Sequence, residues 1–425
     1  MPLFTRRVHY IFFALFCLAL LGLNLAICYA KFQNFMDKGE QELVAKVELD
    51  YVKTNEKGKK YRILRLDTGE FKFYTIAAKS DKFRVGDRIS LVVQNIDVSF
   101  KDYLSGMFYM RSSQREILNE STSEPDTLPL RDKILNFIQA QHENAKISQL
   151  YNALFLATAV SGELRDDVAH WGVAHLVAIS GYHLGVIVSA LFLLAAPLYM
   201  VLCARFFPFR SYKFDISLLA FGVLAFYFYL IGFVPSFLRA FAMSAFGFYM
   251  LCRGIKILSF PTLFIVICFC VAMFPSLALN VGFYFSCAGV FYIFLYLHYF
   301  KDKFGLLAHS LLLNLYVFFA MEVIVLYFFP LISLQQFGVI PLSYVFTVFY
   351  PLSALLHALN LGSVFDGWLV EFLNFRLAST QLYIPLALFL SYNLISLLAV
   401  RFKILVLLPP IIGAGCFVVA IFDLY

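Results

Sequence analysis

Long apolar runs with few charges constrain the fold of this chain more than any other feature. Charged residues make up only 14% of the sequence, against about 25% in soluble domains. A helix of about 20 apolar residues crosses a hydrocarbon core of about 30 Å. The sequence therefore predicts a polytopic α-helical membrane protein with about nine to eleven transmembrane helices. Beyond the N-terminal run, the predicted spans are 173–204, 214–232, 235–253, 258–275, 279–299, 306–329, 336–359, 380–400 and 403–423.

The N-terminal run at 10–30 predicts a transmembrane anchor. It follows Arg6 and exceeds the 7–15 residues that are usual for the apolar core of a signal peptide. We expect an anchor over 1–30 with its basic end in the cytoplasm, so that the next segment lies outside. Basic residues after alternate spans, such as Arg205 and Lys301, mark the cytoplasmic side in the same way.

The alternation of sides is harder to maintain near the end of the chain. Arg401 and Lys403 favour the cytoplasm. Both residues can be cytoplasmic only if the Pro341/Pro351 region or the segment 363–377 does not form an ordinary transmembrane span. We expect a broken or re-entrant element there, with the C-terminus outside.

Residues 31–100 have a different composition, which is charged and typical of strands. Ala45, Val47 and Leu49 alternate with charged neighbours, as on the two faces of a strand. Several short strands predict a small extracytoplasmic all-β domain, and an OB-like barrel fits its size. Its 14 Lys and Arg only slightly exceed its 11 Asp and Glu, so it is not an obvious cationic clamp.

The remaining chain divides into two regions. Residues 101–170 contain helically spaced apolar positions among polar ones, which predicts amphipathic helices at the membrane surface. Residues 171–425 form the polytopic domain. All eight cysteines lie in or beside apolar runs, and no metal-ligand spacing occurs. We therefore expect no metal or other cofactor.

The stretch HLVAISGYH places polar groups inside an apolar run. His175 and His183 are eight residues apart, about 12 Å along an unbroken helix, which is too far to share a metal. Gly181 permits a break or close helix packing. Ser180 beside a histidine resembles a nucleophile with its base, but no acid is placed to orient either ring. Helix packing, pore lining and, least favoured, catalysis remain open for this stretch.

The segment VPSFLRAF begins another predicted span. Pro235 suits the first turn of a helix. Arg239 follows within about one turn, and a helix N-terminus with a guanidinium favours anions. An arginine inside a membrane normally faces protein or water. A structural ion pair is the alternative, with Glu322 as its candidate partner. In a third segment, LNVGFYFSCAGV, Ser286 and small residues indicate either helix packing or a polar lining.

Together, HLVAISGYH, PSFLRA and NVGFYFSCAGV resemble the three membrane motifs of the ComEC competence family, in order and spacing. The resemblance is strong over about 150–310 and looser over the OB-like segment. It implies an inner-membrane channel that admits one DNA strand during natural transformation. Its implied translocation-site residues are His175, Ser180, Gly181, His183, Arg239 and Ser286. The metallo-β-lactamase-like domain of many members has no counterpart here, so we expect a short form without nuclease activity.

The implied partners are single-stranded DNA, the lipid bilayer, a periplasmic DNA receptor and a cytoplasmic motor or single-strand-binding protein. No P-loop is present, so ATP-driven pulling is not expected of this chain. A homodimer is also a candidate assembly. Two rival interpretations remain: a small-anion transporter using Arg239, and an intramembrane hydrolase using Ser180 with a histidine.

Overall fold

A small β domain and a larger helical body make up the structure, which is a computed structural model. Both parts follow the contrast in composition between the charged N-terminal segment and the apolar remainder. The described residues are 7–54, 60–69, 71–77, 83, 86–94, 98–119, 130–207, 209–232, 235–252 and 259–424.

The β domain is a barrel-like sheet in the order β5-β3-β2-β1-β4-β6. β5 pairs in parallel with β3, and β6, which follows almost immediately, pairs antiparallel with β4. One continuous segment thereby joins the two edges of the sheet. Alternate residues such as Val47, Leu66, Phe73 and Leu91 are fully buried inside, as the period of two requires. The strands are β1 (Glu40–Thr54), β2 (Lys60–Asp67), β3 (Lys72–Ala77), β4 (Arg88–Gln94), β5 (Met107–Tyr109) and β6 (Arg111–Asn119).

The closing strands lie beyond residue 100, so the domain boundary predicted there falls inside the β domain. A short helix, α2 (Phe100–Ser105), connects β4 to β5. The prediction of amphipathic helices from residue 101 is wrong for 107–119, which form strands. The segment RSSQREILN is largely polar, so its strand character depends on pairing with β4 rather than on its own alternation.

The helical body confirms the polytopic class. Among the described residues, seven helices are long and apolar enough to cross a membrane, and three apolar helical segments are shorter. The helices are α1 (Arg7–Asp37), α3 (Leu130–Gln139), α4 (Ala145–Leu156), α5 (Gly162–His170), α6 (Ala174–Val177), α7 (Gly181–Phe206), α8 (Tyr212–Ile231), α9 (Pro235–Cys252), α10 (Phe260–Met273), α11 (Val281–Phe300), α12 (Leu306–Phe328), α13 (Val339–Ala358), α14 (Asp366–Asn374), α15 (Leu386–Ala399) and α16 (Leu408–Leu424).

Helix α1 connects the β domain to the helical body. Its 31 residues extend about 46 Å, which exceeds the thickness of a hydrocarbon core. Phe32 and Phe35, near its end, pack into the barrel core with Phe71 and Phe108. On the same helix, the Asn24 amide donates a hydrogen bond of 2.7 Å to the Ala272 carbonyl of α10. Helix α1 thus packs into the barrel core near its C-terminal end and bonds to α10 of the helical body through Asn24.

Helices α13 and α14 lie between two paired strands. β7 (Leu331–Ser333) precedes them, and β8 (Ser379–Gln381) follows them and pairs antiparallel with β7. Both ends of the intervening segment therefore lie side by side. The nine residues of α14 extend about 14 Å, which is too short to cross a membrane. The chain thus leaves and returns at one edge of the fold in the region where the sequence predicts a broken or re-entrant element.

Candidate functional site at three helix N-termini

The HLVAISGYH segment forms a helix break followed by a capped helix start. Helix α6 ends at Val177, and Ser180 has extended backbone angles as the N-cap of α7. The Ser180 hydroxyl accepts a hydrogen bond from the Tyr182 N–H at 3.3 Å. The Ser180 N–H in turn donates to His183 Nδ1 at 3.2 Å. This reciprocal capping satisfies backbone groups that the helix start leaves unpaired.

The two histidines of this segment occupy different environments. His183 is fully buried, and its ring packs edge-on against Phe346 and Tyr350 of α13, with centroid distances of 5.3 and 4.8 Å. His175 is exposed, and its Nδ1 lies 3.1 Å from the Gly172 carbonyl oxygen. They therefore do not form one polar surface, and the capping arrangement accounts for both Ser180 and His183.

Gly181 brings the first two motifs together. A Cβ at this position would lie 3.4 Å from the Ala240 side chain of α9. Phe237 and Ala240 of α9 are buried with Ile179 and Leu184. The small residues at 181 and 240 thus let the N-terminal ends of α7 and α9 pack closely.

A second face of α9 packs on the helices of the third motif. Met243 and Phe246 contact the cluster that contains Phe283 of α11 and Val266 of α10. Position 239 precedes Met243 by four residues and Phe246 by seven, so its backbone lies on this same face. The side chain of Arg239 lies outside the described residues.

The third motif also begins a helix. The Asn280 side chain caps α11, since its Oδ1 accepts a hydrogen bond from the Phe283 N–H at 2.8 Å. Ser286 is half-buried and follows Phe283 by three residues, which places it on the face of α11 that packs against α9 and α10. Positions 239 and 286 therefore lie on facing sides of two neighbouring helices.

The three motifs thus start three neighbouring helices. The contact at Gly181 joins the first turn of α7 to Ala240 of α9, and the cluster that contains Phe283, in the first turn of α11, packs against the middle of α9 at Met243 and Phe246. Each helix N-terminus carries a partial charge of about +0.5. Helix starts of this kind can attract phosphate oxygens.

Glu322 has different surroundings from those that the sequence predicts. It is buried on α12, where a Cβ added at Gly413 of α16 would lie 3.3 Å from the Glu322 Cβ. Helix α16 thus passes close to Glu322. The ion pair with Arg239 stays a prediction, because that guanidinium lies outside the described residues.

Two cavities stand out in the described part of the chain, and neither is lined by the predicted site residues. One, of about 630 Å³, lies between α7 and α8, where Tyr199 and Arg210 already bond to Asp215 at 2.8 and 3.0 Å. The other, of about 450 Å³, lies beside the α3–α4 turn and α14, and His142 and Asp366 are among its lining residues. At the predicted site, the structure shows a close helix contact between Gly181 and Ala240.

The second cavity borders a polar cluster that the sequence reasoning missed. His142 Nδ1 lies 2.9 Å from Asp366, His142 Nε2 lies 3.0 Å from His357 Nε2, and His357 Nδ1 lies 2.7 Å from the Ser353 carbonyl. His142 and His357 are 215 residues apart, so no local spacing could reveal the contact. The sequence feature that could have pointed to this cluster is the histidine at position 357, near the end of an apolar helix.

A buried carboxylate holds the neighbouring elements together. Asp167 of α5 is almost completely buried and forms ion pairs with Lys146 of α4 and Arg376, which follows α14. Although burial opposes the charge of Lys146, its bonds to Asp167 and Glu163 raise the pKa of that ammonium group. These contacts fix α4, α5 and the end of α14 as one unit beside the first motif.

The fold and the site define a polytopic helical membrane protein that has a small β domain and three motif-bearing helix starts in one packed group. The family model described as Competence protein matches residues 157–422. This is well over half of the 425 residues, so the chain belongs to the competence protein family. The resemblance in the three motifs is thereby confirmed at the level of the family, which connects the chain with DNA uptake. No curated protein and no solved structure matches the chain.

Proposed function

We propose that this chain is a channel that passes single-stranded DNA across the cytoplasmic membrane during natural transformation. The observation that carries the proposal is the clustering of three motif-bearing helix N-termini around α9. A DNA strand carries a negative charge on each phosphate, so it needs a polar path with positive potential through the bilayer. The helix ends and Arg239 supply that potential at the entrance.

The close approach of Gly181 to Ala240 supports a gated passage. In this arrangement, α7 and α9 are in contact where the strand would enter. Passage then requires these helices to separate, and small residues at the contact make a separable surface because few side chains interlock there. Position 239 on the second face of α9 and position 286 on the facing side of α11 would meet the strand next.

A transport role also fits the bonding of Ser180 better than a catalytic one. Its hydroxyl accepts a hydrogen bond from the Tyr182 N–H, and its own N–H donates to His183 Nδ1. The Ser180 hydroxyl also lies 3.4 Å from His183 Nδ1, but that nitrogen, which a nucleophilic serine would need as its base, already accepts the Ser180 N–H at the shorter distance of 3.2 Å. We infer that Ser180 and His183 shape the helix start and carry out no reaction.

The β domain is proposed to be an OB-fold on the extracytoplasmic side, with the N-terminus in the cytoplasm. The parallel β3–β5 pair and the closure through β6 support that assignment. Several cations on its strands are already paired, as Arg62 is with Asp50 and Arg65 with Glu48. We therefore propose that it hands the strand over from a periplasmic receptor with low affinity. A cytoplasmic motor or single-strand-binding protein would complete uptake.

The test is DNA uptake by cells that carry Arg239→Ala. We expect transformants to fall by at least tenfold while labelled DNA still accumulates outside the cytoplasmic membrane and the protein is present at normal levels. Arg239→Lys should retain part of the activity, since it keeps the charge. Arg401→Ala, at an exposed position, serves as the matched control. Normal transformation with Arg239→Ala would contradict the proposed entrance.

A further inference from the structure

The polar cluster between the α3–α4 turn, α13 and α14 contains three donor–acceptor contacts in series. They join Asp366 to His142, His142 to His357, and His357 to the Ser353 carbonyl. The side chain of His142 is completely buried and that of Asp366 is 19% exposed. Water therefore cannot easily replace the buried contact between the two rings if it is lost.

Each of the three contacts needs one hydrogen between its two heavy atoms. Two neutral imidazoles carry one N–H each, and the Ser353 carbonyl only accepts. Two hydrogens cannot complete three contacts, whichever tautomers are chosen. The third hydrogen must come from a further proton, held on a ring as an imidazolium beside the Asp366 carboxylate or on that carboxyl group itself. The complete cluster is then electrically neutral.

Few other groups face the cluster in the described elements around it. Tyr151 of α4 stacks on His142 and meets His357 edge-on, with centroid distances of 4.8 and 4.5 Å. Burial, and to a lesser extent the charge of Asp366, raises the pKa of the Tyr151 phenol, so it stays neutral. Glu143 lines the same cavity as Asp366, and its side chain is exposed.

The cluster fixes the end of α13, and α13 packs on the first motif. Tyr350 lies seven residues before His357, on the same helical face, and packs against His183. The Tyr182 hydroxyl also donates to the Ser343 carbonyl of α13 at 2.8 Å. Gln141 supports the attachment, because its side chain donates to the His357 carbonyl and accepts from the Gly362 N–H.

We propose that His142, His357 and Asp366 form a proton-dependent clamp that positions α13 against the HLVAISGYH segment. With the third proton bound, all three contacts are complete and α13 is held. When that proton leaves, one contact loses its hydrogen, a net negative charge stays beneath α13, and the attachment weakens. The consequence for DNA passage rests on the proposed function, whereas the proton dependence of the clamp does not.

The test is the thermal unfolding of the purified full-length chain in lipid nanodiscs between about pH 6 and pH 8, the range in which imidazoles usually titrate. We expect the wild-type unfolding midpoint to fall by about 2 °C or more as the pH rises. Asp366→Asn should flatten this profile, because the asparagine amide can donate the third hydrogen itself. Asp302→Asn, in an exposed loop, should leave the wild-type profile unchanged.

A profile for Asp366→Asn that runs parallel to the wild-type profile would overturn the clamp. If that variant does not accumulate, His142→Gln decides the same question, since it removes the ring that joins Asp366 to His357 and must also flatten the profile. The experiment contains no DNA. Its result therefore stands apart from the uptake assay, and either proposal can fail without the other.

Discussion

The β domain and the helical body differ in where most of their paired charged groups lie. In the barrel, cations and carboxylates pair on the outside, as Arg65 does with Glu48 at 3.1 Å, around an apolar interior. In the helical body, polar side chains such as His183 and Asp167 are buried and fix helix ends. The barrel therefore depends on apolar burial, whereas the helical body depends on a few polar and glycine positions.

The largest effect is expected at a glycine of the helical body. A side chain at Gly413 of α16 would overlap the Phe319 carbonyl oxygen of α12. Gly413→Leu should therefore destabilise the protein by about 3 kcal/mol or more, measured as the loss of folded protein in the membrane. Gly415→Leu, in the same helix but with no atom within 4 Å of its Cβ position, should accumulate normally. Equal accumulation of both variants would show that α12 and α16 do not pack this closely.

A smaller loss is expected at the buried cap of α7. His183→Ala removes the acceptor of the Ser180 N–H and a ring that fills space against α13. We expect a destabilisation of about 2 kcal/mol, measured by thermal unfolding. His175→Ala, in the same motif but exposed, should change stability little. Equal losses of stability for the two substitutions would show that burial does not determine how much each histidine contributes to stability.

The smallest effect should come from a partly exposed ion pair that joins the β domain to α3. Lys46 pairs with Asp132 of α3 at 2.9 Å, with side chains 37% and 23% exposed. Lys46→Ala should reduce the free energy of unfolding by less than about 1 kcal/mol, and salt should reduce the effect further. Unfolding in denaturant at two salt concentrations checks this. A loss as large as that of His183→Ala would remove the contrast between the two regions.

Most of the helical architecture could be predicted because a membrane-spanning helix has a strong local signal. The starts of α9 and α11 at Pro235 and Val281 lie close to the predicted spans, since a proline and a capping asparagine mark them. The break at Ala178–Ser180 was only partly visible, through Gly181. The strands after residue 100 were missed because pairing with other strands, rather than local alternation, determines them.

The site was predictable as a set of motifs but not as an arrangement. The sequence identifies the three segments, but it gives no information on which face of each helix meets its neighbour. In the structure, His183 packs against α13, and Ser286 follows Phe283 by three residues on the face of α11 that packs against α9 and α10. The contact of His142 with His357 depends on two distant segments, and a single sequence carries no record of such a pairing.

The most direct test of the central claim uses photoreactive nucleotides in a strand whose trailing end carries a bulky block. The strand is arrested during uptake and irradiated, and the crosslinked peptides are identified by mass spectrometry. We predict crosslinks in the first turns of α7, α9 and α11, including the segment around Ser286. Crosslinks confined to α15 and α16, with none at these three helix starts, would contradict the proposed entrance.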